Sequence, residues 1–152
     1  MNENNNLPAG KMNGVKIYQP GVRWKENSRH WNLLGEVDLK SSHIFGIESV
    51  TNFPGVVEGW HSLLNGALYI TCVRGMIKLA LFDNRRDSDT FGELQEIFLG
   101  ESRPLIVKVP EDVFYGWKSL PESSATVLLL LVDASPDFDH LPEDSDRIPY
   151  RW

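Results

Sequence analysis

The chain is expected to fold as an all-β antiparallel sandwich or barrel of the jelly-roll kind. Three observations carry that expectation. Short apolar runs recur from Val15 to Val132 of the 152 residues, separated by stretches with Gly, Pro, Asn or Asp. No stretch sustains a helical period of apolar residues. The central stretch Pro54 to Gly75, PGVVEGWHSLLNGALYITCVRG, is split by Asn65-Gly66, a dipeptide suited to positive φ and so to reversing a β-hairpin.

The elements follow in order. Residues 1–14, Asn-rich and broken by Pro and Gly, read as a flexible arm, which leaves 15–152 as a single domain. Val15 to Tyr18 is a short alternating strand closed by Pro20-Gly21. Trp24 to Leu39 passes through a charged turn, KENSRH, into WNLLGEVDL, read as a strand with an irregularity at Gly35. His43 to Val50 is a further strand; its Glu48, a carboxylate among apolar neighbours, belongs either at an exposed rim or in a polar cavity. Met76 to Phe82 alternates weakly, as a strand packed on both faces does, and a polar loop follows over 83–89. Leu94 to Leu99, Leu105 to Val109 and Thr126 to Val132 complete the series. The tail from Asp133 is acidic and Pro-rich and ends in IPYRW, whose aromatics are expected to dock on the barrel.

Composition excludes several classes of function. The length suffices for a sizeable core without disulfide or metal. The lone Cys72 lies in an apolar run and reads as a buried, inert thiol. A formal charge of −6 without clustered Lys or Arg argues against nucleic acid as a partner. The longest apolar run, Val127 to Val132, is too short to span a bilayer, and MNENNN lacks a basic-then-apolar signal, so a cytoplasmic protein without a membrane partner is expected. His61, on the first run of the central stretch, points either into the core as a structural histidine or into a pocket.

Four strings, taken together and in order, resemble the cupin family of dTDP-4-dehydrorhamnose 3,5-epimerases and related nucleotide-sugar epimerases. They are GVVEGWH (Gly55 to His61), CVRGMIKLALFDNRRDSDTFGE (Cys72 to Glu93), PEDVFYGW (Pro110 to Trp117) and PDFDHLPEDSDRIPYRW (Pro136 to Trp152). The resemblance covers roughly residues 28–152 and implies a cupin-type double-stranded β-helix, or jelly-roll barrel, usually a homodimer, with a small-molecule site in the barrel mouth. Oxygen-activating cupins gather two histidines from one strand, a Glu and a third His around a metal. Here Leu63 and Tyr115 stand at the second and third histidine positions, so neither metal nor cofactor is expected.

The chemistry that the resemblance implies is proton transfer beside the ketone of a 4-keto sugar, with His61 as the base. Its acidic partner comes from the C-terminal segment, which points to Asp144, or to Asp146 if the register shifts; a solvated loop acid is the competing reading of either. Three departures stand out. Glu58 occupies the place of an arginine that holds diphosphate, Leu68 that of a lysine facing the keto oxygen, and Leu129 that of the tyrosine acid. Tyr69 or Tyr115 is then the candidate acid, or each is a packed aromatic. Trp60, Leu63, Leu68, Trp117 and Leu129 are expected to line the interior, with Glu48 and Glu58 completing an acid/base set around His61. Glu58 and His61 have opposite strand parity unless Gly59 introduces a bulge. An isomerase of the sugar-nucleotide class leads. A barrel repurposed as cyclase or isomerase of a more apolar metabolite, and a catalytically silent binding barrel, stand beside it.

Overall fold

Apolar alternation in this chain resolves into two packed sheets. The structure, a computed structural model, describes residues 11–35, 37, 39–135 and 137–152. The described residues contain twelve strands and no helix. They are β1 (Lys16–Tyr18), β2 (Gly21–Lys25), β3 (Ser28–Asn32), β4 (Ile44–Asn52), β5 (Val57–Leu63) and β6 (Ala67–Arg74), then β7 (Met76–Asp83), β8 (Leu94–Gly100), β9 (Ile106–Pro110), β10 (Val113–Ser119), β11 (Ala125–Val132) and β12 (Phe138–His140). One five-stranded sheet has the order β1-β9-β6-β11-β4, the other β12-β5-β10-β7-β8, and β2-β3 form a separate hairpin. All pairings are antiparallel.

Period-two patterning decides which side chains meet between the sheets. From β6 come Leu68, Ile70 and Cys72, from β7 Ile77, Leu79 and Leu81, from β10 Val113, Tyr115 and Trp117, and from β11 Val127, Leu129 and Leu131, all in one buried cluster. The alternate residues face outward and find separate cover. Tyr69, Leu130 and Val132 pack with Ile106 and Val37 beneath Leu33 and Leu39. Trp60, Ala80, Phe82 and Phe114 pack under Ile148, Tyr150 and Trp152 of the tail. The docking of the terminal aromatics follows from this second face: apolar side chains on both sides of β5, β7 and β10 need a lid on the outside, and the tail provides it.

Several expectations are corrected. Asn65-Gly66 does reverse the chain, with Gly66 at φ 80°, but β5 and β6 lie in opposite sheets, so the turn is a crossing between layers and not a hairpin. The charged turn expected within 24–39 does lie between two strands, β2 and β3, but of the strand expected over WNLLGEVDL (31–39) only the first two residues are in β3, and Leu33 and Leu39 instead cap the outer apolar face. β10 and β12 were not separated out from the sequence. Of the expected arm, residues 1–10 lie outside those described, whereas Met12 is buried in the core and Asn13 is held by backbone contacts to Thr90 and Arg85.

Candidate active site

Side chains of both sheets enclose a cavity of about 230 Å³, lined by Glu48 and Val50 from β4, Glu58 and His61 from β5, Tyr115 and Trp117 from β10, Leu129 from β11, and Phe138 and His140 from β12. A line of polar contacts crosses its wall. The Trp117 indole N–H donates to Asn52 Oδ1 at 2.8 Å, Asn52 Nδ2 donates to Glu58 Oε2 at 3.4 Å, and Glu58 Oε1 lies 3.3 Å from His61 Nε2. On its other side His61 Nδ1 lies 2.6 Å from Nδ1 of His140, with the two rings almost perpendicular at 88°.

The sequence brings Glu58 and His61 together through a bulge. Against β10, His61 pairs with Tyr115 and Glu58 with Trp117, so three steps along β5 answer two along β10. Gly59, at φ 143°, is the residue that accommodates this. A Cβ there would meet Gly116 Cα at 2.7 Å, so the backbones approach too closely for any side chain.

Electrostatics set the protonation of the site. Burial lowers the His61 pKa from its ordinary 6.5 and the neighbouring His140 lowers it further; Glu58 and Glu48 oppose this without overcoming it. The ring is therefore a neutral imidazole near pH 7, the form that can accept a proton. Tyr115, whose ring centroid is 5.7 Å from that of His61, has its phenol pKa raised by burial and then by Glu48 and Glu58, so it keeps its proton.

Known proteins share parts of this sequence and its architecture. The chain is 33% identical over 99 residues to the probable low-salt glycan biosynthesis epimerase Agl13 of Haloferax volcanii, covering 64% of this chain and 62% of that protein. It is 28% identical over 89 residues to a dTDP-4-dehydrorhamnose 3,5-epimerase of Mycobacterium tuberculosis, covering 57% of this chain and 44% of that one. The chain thus spans less than two thirds of the length of either relative. Among solved structures, a dTDP sugar isomerase from Desulfovibrio desulfuricans superposes with a TM-score of 0.84 at 21% identity, over 93% of this chain and 92% of that one. No protein-family model matches. The chain is similar to these sugar epimerases over part of their length. Its fold is their cupin-type jelly roll.

Relative to what the epimerase resemblance implied, the cavity gathers Glu48, Glu58, His61, Tyr115, Trp117 and Leu129. Other candidates lie elsewhere. Leu63 and Leu68 are fully buried in the core. Trp60 points to the outer face, in contact with Tyr150 and Trp152, because it precedes His61 by one residue on an alternating strand. Tyr69 is on the outer face of the other sheet, beside Tyr18, for the same reason of parity. Asp144 and Asp146 are exposed and border a surface groove of the tail, apart from the cavity. The C-terminal segment does reach His61, but it does so through His140.

His140, Val50 and Phe138 were not anticipated. The four histidines show no ligand-like spacing, and the contact of His61 with His140 spans 79 positions of sequence. Its one signal in the chain is the antiparallel register of Phe138–His140 on the end of β5, which needs the barrel to be seen. At 2.6 Å the two imidazoles are in hydrogen-bond contact, and Glu58 meets the opposite nitrogen of His61, so the three side chains do not converge on one point. Among the described residues no group of three or more His, Cys, Asp or Glu is arranged to hold a metal ion.

Proposed function

We propose that the protein is a metal-independent sugar epimerase that moves a proton next to the carbonyl of a 4-keto sugar, with His61 as the group that takes the proton. The observation that carries this reading is the neutral imidazole facing a small cavity, held on one side by a carboxylate and on the other by a second ring. The C–H bond beside the ketone is acidified because its electron pair can pass into the carbonyl as an enolate. Nε2 of His61 is the nitrogen on the Glu58 side, and the nearby negative charge stabilises the imidazolium formed when it accepts the proton. Tyr115, which keeps its proton and sits beside His61, is the candidate donor that returns one to the carbon; Glu48 and Glu58 complete the polar side of the cavity. Trp117, Leu129, Val50 and Phe138 supply an apolar wall against which a sugar ring packs and from which water is excluded.

The cavity is of the size of a single sugar ring, and no Lys or Arg is among its lining residues. A nucleoside diphosphate carried by the substrate would therefore lie outside it. Relatives include dTDP-4-dehydrorhamnose 3,5-epimerases, which supports a dTDP- or UDP-linked 4-keto-6-deoxyhexose as the first substrate to try. The protein acts as a cytoplasmic homodimer in this reading. The edge strand β4 exposes Ile44, Phe45 and Ile47, which is the kind of surface a second copy covers. Incubation with dTDP- and UDP-4-keto-6-deoxyglucose in D₂O, followed by NMR, tests the activity. Deuterium at C3 or C5 is the expected result, and absence of exchange with both sugar nucleotides overturns the reading. Sedimentation at the mass of one chain would overturn the dimer.

A further inference from the structure

Within the epimerase reading above, on which this step rests, we propose that His61 and His140 form a two-ring proton wire between the cavity and bulk water. The carboxylate expected at this position could only accept a hydrogen bond. An imidazole can take a proton on one nitrogen and release another from the opposite one.

The geometry is specific. Two Nδ1 atoms 2.6 Å apart share one proton: with two they would clash, and with none two lone pairs would face each other. The tautomers of the two neutral rings are therefore locked to one another. In the first arrangement His61 donates from Nδ1, leaves its Nε2 lone pair on the Glu58 side, and His140 carries its proton on Nε2. In the second, His140 donates from Nδ1, and His61 carries its proton on Nε2, directed to Glu58 Oε1 at 3.3 Å. The Glu58 contact favours the second, since in the first two acceptors face each other at Nε2. The first arrangement can accept a proton from substrate. The second can deliver one.

Passage from the first to the second balances as follows. The substrate C–H bond breaks, its electron pair becomes the enolate, and the proton forms a bond to His61 Nε2. The Nδ1 proton of His61 moves to Nδ1 of His140, whose Nε2 proton leaves to water. Reversal of the same transfers returns a solvent proton to the face it left, which is exchange without inversion; inversion takes its proton from Tyr115, the donor named above. His140 suits the outer position because it is exposed and lies on β12, an edge strand, while His61 is half-buried on β5. The outer ring is fixed in place through its backbone: His140 N donates to Asp139 Oδ1 at 2.9 Å, and the next residue, Leu141, exchanges two backbone hydrogen bonds with Trp60 at 2.9 and 3.0 Å. The titratable groups facing His61 are Glu48 from β4, Glu58 from its own strand, Tyr115 from β10 and His140 from β12. Only His140 of these is in contact with Nδ1.

The first test needs no substrate. In ¹⁵N-histidine NMR of the full chain at neutral pH, the two Nδ1 nitrogens should share one proton, seen as a nitrogen–nitrogen coupling across their hydrogen bond. In His140→Gln, His61 should titrate in one step, with its midpoint moved upward. Absence of any coupling between the two Nδ1 nitrogens in the unmutated protein overturns the proposal. A coupled pair without turnover of any keto sugar supports the wire and counts against the epimerase reading instead. With an exchanging sugar, single turnover in D₂O should place solvent deuterium on the carbon in the unmutated protein. His140→Gln should return part of the substrate's own hydrogen and turn over about tenfold more slowly, with added imidazole restoring the wash-out. Complete wash-out at the unmutated rate in His140→Gln overturns the wire.

Discussion

Glu58 and His61 present their side chains to the same cavity, 3.3 Å apart, although simple alternation would send them to opposite faces of β5. The bulge at Gly59 is what reconciles them, because it lets three steps along β5 answer two along β10. It also leaves Trp60 outward, where it packs against Trp152, so one irregular step serves both the cavity and the outer core.

Gly59→Ala should therefore disable the site and weaken the fold together. The added Cβ meets Gly116 Cα at 2.7 Å, and φ of 143° is a conformation that L residues rarely adopt. Strain and overpacking together should cost about 2–4 kcal/mol in chemical denaturation. Proton exchange into substrate should fall with it; a variant with unchanged stability and exchange would show that the bulge forms without glycine.

Asp83 offers a separate test, of the framework and not of the cavity. Its fully buried carboxylate accepts from the Arg85 backbone, Nε and Nη2 and from the hydroxyls of Ser88 and Thr90, and Arg85 also donates to the carbonyl of Asn13. Burial alone would raise its pKa, but these hydrogen bonds outweigh it and hold the group well below the ordinary carboxylate range. A depressed pKa gives stability that is present above about pH 4 and is lost as pH falls through the folded-state value. Asp83→Asn should cost about 3 kcal/mol at pH 7 and flatten the acid limb of stability. Equal acid limbs in the two proteins would remove Asp83 from that account.

Much of the barrel was legible in the chain, for a local reason. Runs such as TVLLLLV and MIKLALF announce strands whatever they pair with, and Glu48, Glu58, His61, Tyr115 and Trp117 sit on such runs or at their ends. What was hidden is non-local. Nothing between Asn65 and Gly66 tells a hairpin from a crossing between sheets, since both need a tight turn with positive φ. Tyr69 and Trp60 have the chemistry expected of site residues and differ from Leu68 and His61 only in which way the strand faces. The partner of His61 came from a three-residue strand whose place depends on a register set across the whole barrel.

The pH dependence of stability should carry the mark of His61. Burial, then His140, lowers its pKa below 6.5, so the unfolded chain binds more protons just below that value. The contribution is fully present above about pH 6.5 and is lost as pH falls through the folded-state value. His61→Asn should reduce the loss of stability in this window, measured by denaturant midpoints between pH 7.5 and pH 5 on the ordinary His scale of about 6.5. An identical loss in both proteins would mean that His61 ionises as freely when folded as when unfolded.

Solvent hydrogen exchange at the carbon beside the ketone tests the central claim most directly. With a 4-keto-6-deoxyhexose nucleotide in D₂O, the unmutated protein should wash deuterium into C3 or C5, and His61→Asn should slow that by a factor of about 10² or more while still unfolding cooperatively. Wash-in at the unmutated rate by His61→Asn would contradict the account.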